Sequence, residues 1–250
     1  MHSPCWQPRI RCQEPLVGRR AVLGGLATML GAGVLGPPAL AAAPLVLTVG
    51  VPVALPGYEV QDEATLHVHD PLKKRLTDCV VAKLNARITW VSYPTRRVMQ
   101  MLKDQQLDMI FPMGFTDERA AAMHQSAAIW QSPDVYVSLH PVDMHDKSLR
   151  LVARLGSPQH SEYLADGYAN MSGAYSYEEL ARLLARGQAD VVVVPRSIYE
   201  ELKNLWPPGT QMVVGKPRDT GFYLHKDDPK GLLKPLNDSI ARCRQAAGLK

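Results

Sequence analysis

One pattern occurs twice in this 250-residue chain, and it constrains the fold more than any other feature. Residues 98–108 read VMQMLKDQQLD and run into MIFPM. Residues 180–190 read LARLLARGQAD and run into VVVVP. Each is a helical period, a short turn, an Asp and an apolar run that does not alternate. Four valines in succession suit a strand covered on both faces, as in parallel sheets. Two such units in one chain predict two similar lobes.

Further strand signals lie at 45–53 (LVLTVGVPV), 87–91 (RITWV) and 150–153, with 107–113 and 190–194 completing the set. Helical patterns lie between them. Residues 71–84 place Leu72, Leu76, Val80 and Leu84 on one stripe. Residues 94–105 begin with Pro94, suited to a first helical turn. Residues 176–186 open on Ser176 with Glu179 three positions on, a capping box, and stop at Gly187. Segments 195–203 and 229–247 are the remaining helices. Alternation of strand and helix predicts an α/β fold with right-handed crossovers. No low-complexity linker separates the halves, so paired crossing strands are expected to join them, with 134–139 and 222–224 as candidates.

The amino-terminal segment reads as an export signal. Arg19-Arg20 precede an apolar stretch from Ala21 to Leu35, Pro37-Pro38 break it, and Ala39–Ala41 and Ala41–Ala43 fit an A-x-A cleavage site. The stretch is short, Gly-rich and proline-capped, and so spans a bilayer poorly. The paired arginines partly match a twin-arginine signal, and the general secretory route stays open beside it. Cleavage near Ala41 or Ala43 predicts a periplasmic protein with a leader over 1–43.

The leader also accounts for most of the chain's charge. The whole sequence carries 28 basic and 24 acidic residues, a formal +4. Without Arg9, Arg11, Arg19, Arg20 and Glu14 it carries 24 and 23. No basic run with interleaved aromatics remains, which argues against nucleic acid as a partner. Two of the four cysteines, Cys5 and Cys12, leave with the leader. Cys79 and Cys243 remain, either as a disulfide or as two small buried thiols. The bond requires the last helix to pack against the first.

The stretch 93–126, YPTRRVMQMLKDQQLDMIFPMGFTDERAAAMHQSAA, resembles the bacterial extracellular solute-binding proteins of family 3. The features are a helix, a turn at Gln106-Leu107-Asp108, a buried strand and then Thr116-Asp117-Glu118-Arg119. Val152–Ser157 is similar to the family's second-lobe strand and helix start, 176–195 to its helix-turn-strand unit, and 229–249 to its closing helix. The resemblance implies a two-lobe type II periplasmic-binding fold, each lobe a mostly parallel sheet flanked by helices. It places lobe 1 at 44–138 plus 217–250 and lobe 2 at 139–216. It also implies a monomer that captures a small polar, carboxylate-bearing ligand (an amino acid or related metabolite, with another small polar metabolite left open) for an ABC importer, with no catalysis, cofactor or metal.

The family's Arg grips a ligand carboxylate, a role that falls here on Arg119. An arginine fork near a helix start suits that task. The alternatives are an ion pair with Asp117 or a solvated helix residue. Gly114, Phe115 and Thr116 would line the same wall. Ser157 would donate from the second lobe or serve as an ordinary helix cap. Tyr58 is a candidate for ring contact with the ligand. Two departures matter: Pro195 stands where amino-acid binders place an Asp for the ammonium, followed by Arg196, and Gly114 replaces a Ser. Arg196 would favour negative charge if it faced the cleft.

Other groups receive plainer readings. His67 and His69 in a loop offer a metal-like pair, but a solvated loop suits them better without a further ligand pair. Trp90 and Trp130 read as core, and Lys73-Lys74-Arg75 as a solvated helix face. An enzyme on the same fold, such as a lyase or dehydratase acting on a carboxylate, would need a general acid or base such as Glu118, His124 or His69, and no motif ties these together. An exported sensory or dehydrogenase-associated module is the remaining alternative.

Overall fold

The computed structural model describes residues 45–249. The leader, its cleavage site, Cys5 and Cys12 lie outside the described residues.

Strand β1 (Leu45–Pro52) pairs in parallel with β4 (Ala86–Tyr93) on one side and with β5 (Met109–Gly114) on the other. Between β1 and β4 come the hairpin β2 (Tyr58–Asp62) and β3 (Thr65–Val68), then helix α1 (Pro71–Lys83). The hairpin replaces the loop expected there. Its strands are short and mostly polar, because only Leu66 and Val68 are fully buried, and that leaves little apolar period to read. Helix α1 starts at Asp70, whose carboxylate accepts from the amides of Leu72 and Lys73. Helix α2 (Thr95–Lys103) leads to β5, and α3 (Asp117–Ala122) and β6 (Met123–Gln125) follow it.

Strand β7 (Trp130–Ser138) crosses to the second half. There β8 (Leu151–Arg154), α4 (Pro158–Ala165), β9 (Ser172–Ala174), α5 (Tyr177–Ala185), β10 (Val191–Pro195) and α6 (Arg196–Glu201) repeat the alternation. Strand β8 pairs in parallel with both β9 and β10. The chain returns along β11 (Gln211–His225) and ends in α7 (Leu233–Ala246). The strand order is β4-β1-β5-β11-β7-β10-β8-β9, with β6 on β11.

The two long strands β7 and β11 run antiparallel through the middle, with a register shift between Val214 and Pro217. They are longer than the crossing segments read from the sequence. Their flanks carry Gln131, Ser132, Lys216 and Arg218, which break the apolar signal.

Each lobe has apolar cores on both sheet faces, which is what an unbroken apolar strand requires. Met109 and Phe111 face one core of the first lobe, and Ile110 and Met113 the other. In the second lobe Val192 and Val194 pack with Leu180 and Leu184, while Val191 and Val193 pack with Tyr163 and Tyr168. Helix α7 lies on α1, and a disulfide joins Cys79 to Cys243 there, with Cα atoms 5.9 Å apart.

Candidate functional site

A cleft lies between the lobes, with about 710 Å³ of empty space when the open solvent at its mouth is included. The first lobe lines it from the ends of β1 and β5, from α1 and from the start of α2. The second lobe lines it from the end of β8, from the turn Gly156–Gln159, and from Pro195, Ser197 and Ile198.

Arg119 is in the wall of this cleft and only 7% exposed. Thr116 caps α3, its Oγ1 accepting from the Arg119 amide at 3.2 Å, and so fixes where the arginine leaves the helix. The guanidinium donates to the Gly114 carbonyl of the first lobe and to the Gly156 carbonyl of the second, both at 2.8 Å. No carboxylate pairs with it among the described residues; Asp117, the ion-pair alternative, is not its partner. Burial draws Arg119 below the ordinary arginine value, and nearby Arg218 adds to the pull. An anion in the cleft would relieve that cost, using the three N–H groups that the two carbonyls leave over.

Arg154 is the counterpart from the opposite side. It ends β8, is 8% exposed, and reaches into the first lobe, donating to the Val53 carbonyl at 3.1 Å and, more weakly, to Thr95 Oγ1 at 3.4 Å. Its guanidinium lies 5.4 Å from the Tyr177 ring centre. Its Nε is buried and has no partner among the described residues. A buried orphan donor is rare and costs roughly 1–3 kcal/mol unless something accepts from it.

Arg218 is built differently. It donates to Asp134 (2.7 Å) and to Glu162 (2.7 and 3.0 Å), and Gln159 donates to Asp134 at 2.6 Å. Burial opposes its charge, but the two carboxylates outweigh this and hold it above the ordinary arginine range. Lys73 also lines the cleft, 5.7 Å from the Trp130 ring centre. Burial lowers its pKa, with Asp70, Glu200 and Glu201 pulling the other way.

Of the residues singled out from sequence, Gly114, Arg119, Tyr58 and Ser157 line the cleft. At Gly114 a Cβ would come within 2.9 Å of Arg218 Cδ and 3.3 Å of Pro158 Cγ across the interlobe gap, so a serine there would not fit beside the anchored arginine. Ser157 Oγ accepts from the His160 amide and caps α4. Tyr58 packs edge-on against Phe111, and burial keeps its hydroxyl protonated.

Phe115, Thr116 and Arg196 do not line the cleft. Phe115 turns back onto Tyr223, with ring centres 5.5 Å apart. Thr116 is spent on its capping role. Arg196 stands half exposed on the first turn of α6 and pairs with Glu200 one turn on at 2.7 Å.

Two cleft cations escaped the sequence reading. In sequence Lys73 reads as part of a solvated helix face, whereas α1 turns it toward Trp130 and leaves Lys74 outside with Asp78. The signal for Arg154 was an arginine closing an otherwise apolar strand, LVAR. His69 bonds Glu201 of the second lobe at 2.7 Å, and among the described residues no His/Cys/Asp/Glu cluster could hold a metal ion.

No protein-family model matches this sequence, and no curated protein does. Solved structures do match. The arginine-bound form of truncated ArgBP from T. maritima superposes with a TM-score of 0.61 at 19% identity, over 79% of this chain and 95% of that one. An ABC uptake transporter substrate-binding protein from Streptococcus pneumoniae with bound histidine gives 0.64 at 17%, over 79% and 86%. The chain has the two-lobe type II periplasmic-binding fold. The GluR0 ligand-binding core from Nostoc punctiforme, in complex with (L)-glutamate, shares this type II architecture at a TM-score of 0.65 and 17% identity, over 80% and 94%. In this chain Arg119 and Arg154 are the groups that reach across the cleft, each donating to a backbone carbonyl of the opposite lobe.

Proposed function

We propose that this chain is an exported solute-binding protein that captures a small carboxylate-bearing ligand between its lobes for an ABC importer. The leader over 1–43 would deliver it to the periplasm, and the monomer would hinge where β7 and β11 pass between the lobes, near Pro133 and Pro217, which pair across the two strands beside their register shift. Among the described residues, no helix is long and apolar enough to cross a membrane.

The observation that carries this reading is Arg119. It is a buried cation held only by neutral carbonyls, one from each lobe, with donors left over for an anion. A ligand gripped there favours the closed form through contacts to both lobes, a population shift that needs no covalent step. The cleft offers little for catalysis. None of its lining residues among the described ones is Asp, Glu or His, and burial keeps Tyr58 and Tyr177 protonated. Glu118, His124 and His69, the acid-base candidates from sequence, are not among them.

Calorimetry and thermal melting of the processed chain test this, with L-glutamate, L-arginine, L-histidine and succinate as probes. At least one carboxylate should raise the melting midpoint by mass action and return chemically unchanged. Arg119→Gln should weaken that ligand by roughly 10-fold or more, the size of a lost charge-assisted contact. Unaltered affinity in the variant would reject the clamp, and turnover of the probe would reject the passive binder.

A further inference from the structure

We propose that the ligand is a short dicarboxylate, held at its two ends by Arg119 and Arg154, rather than an α-amino acid. This rests on the binding-protein reading above and deepens it.

The charges of the cleft decide the class. Its charged lining residues are Lys73, Arg119, Arg154 and Arg218, all cationic. Asp134 and Glu162 neutralise Arg218. The other three make no ion pair among the described residues. An α-amino acid would bring an ammonium into a lining that holds no carboxylate; the neighbouring acids Asp70, Glu200 and Glu201 stand outside that lining and act on Lys73. The one buried acid among the described residues, Asp134, is fully enclosed and already holds Arg218 and Gln159. Strand β10 ends in Pro195, which carries no charge. Like charges brought together in a desolvated site cost several kcal/mol.

The geometry decides the number of acid groups. Arg119 and Arg154 approach from opposite lobes, and both lie close enough to Tyr177 for their charges to act on its hydroxyl. Their contacts adjoin, since a Cβ on Gly156 would be 3.8 Å from Thr95 Cβ. Each guanidinium has N–H groups left over, and the orphaned Nε of Arg154 is a donor from which no group among the described residues accepts. Two planar forks suit two planar carboxylates. Met113, Trp130 and Ile198 supply an apolar wall for a short carbon link between them.

The test compares matched pairs by calorimetry on the processed chain. Succinate or glutarate should bind roughly 10- to 100-fold more tightly than butyrate, the scale of one added charge-assisted contact. Glutarate should exceed L-glutamate, which differs from it only by the ammonium group. Arg154→Gln should abolish the advantage of the dicarboxylate over butyrate, and Arg154→Lys should restore only part of it. Melting of both unliganded variants checks that they fold.

Tighter binding of L-glutamate, butyrate or inorganic phosphate than of both dicarboxylates would overturn the inference. If such a ligand still depended on Arg119, the binding-protein reading would stand without it. Failure of every acid and amino acid to bind would overturn both.

Discussion

The two lobes repeat one unit, and the places where they agree differ in purpose from the places where they do not. In the first lobe Gln105 takes a left-handed turn at φ 57°, and Asp108 then exchanges bonds with Thr48 of β1, amide to carbonyl at 2.9 Å and carboxylate to amide at 2.8 Å. In the second lobe Gly187 turns at φ 62°, and Asp190 does the same with Arg150 at the same two distances. The shared part ties each helix-strand unit to the first strand of its lobe. The unshared parts are a disulfide and closing helix on the first lobe, and the reciprocal arginines Arg119 and Arg154. Repetition therefore builds the walls, and departure from it sets stability and what the cleft attracts.

The largest expected asymmetry is the disulfide. Cys79 and Cys243 are 164 residues apart, so their bond closes a loop that contains the whole second lobe. Chain-entropy arguments give about 4–5 kcal/mol for a loop of this size. Paired Cys79→Ser and Cys243→Ser substitutions should lower the melting midpoint by roughly 10 °C, at about 2–4 °C per kcal/mol. Hydrogen exchange should rise first in α1 and α7. Equal loss of protection in both lobes would show that the staple acts on the whole molecule and would weaken the contrast.

The aspartates give a smaller and more symmetric effect. Asp108→Ala and Asp190→Ala should each cost about 1–3 kcal/mol in urea denaturation, since each removes a charge-assisted bond to a backbone amide. Asp108 also pairs with Lys230 at 2.8 Å, and Asp190 with the Arg150 side chain. The Arg150 hydrogen bond holds the Asp190 carboxyl below its ordinary value. A depressed folded-state pKa gives stability that is present above the unfolded value, about 3.9, and is lost as pH falls through the folded one. The gap between the native chain and Asp190→Ala should therefore be full at pH 7 and shrink below about pH 4. A gap that grew on acidification would reverse the assigned sign.

What the sequence disclosed follows the same division. The repeated units and the apolar strands were legible because buried faces leave a period that composition cannot hide. The α1 stripe announced itself through Leu76 and Val80, both fully buried, though Leu72 on the same spacing is partly exposed. The hairpin over 58–68 was not legible, because its strands bury one face only in part. At the site, Arg119 could be found from its capped helix start. Arg154, Lys73 and Arg196 could not be placed, because one residue of rotation on a helix or strand decides whether a cation meets cleft or solvent. Lys73 and Lys74 are neighbours in sequence and fall on different sides of that boundary.

The finest contrast lies in the turns. A Cβ at Gly187 would meet nothing within 4 Å, so Gly187→Ala tests backbone conformation alone. The left-handed region costs a non-glycine residue about 1–2 kcal/mol, and the stiffer unfolded chain returns about 0.4–1. The net loss should be about 0.5–1 kcal/mol. Gln105 already bears that cost in the first lobe, with an exposed side chain. Gln105→Gly should therefore move in the opposite direction, raising the melting midpoint by about 1–3 °C at about 2–4 °C per kcal/mol. Opposite signs for the two substitutions would show that the lobes share a turn geometry and differ only in which residue was fitted to it. Destabilisation by Gln105→Gly would mean that the glutamine side chain contributes something its exposed position does not suggest.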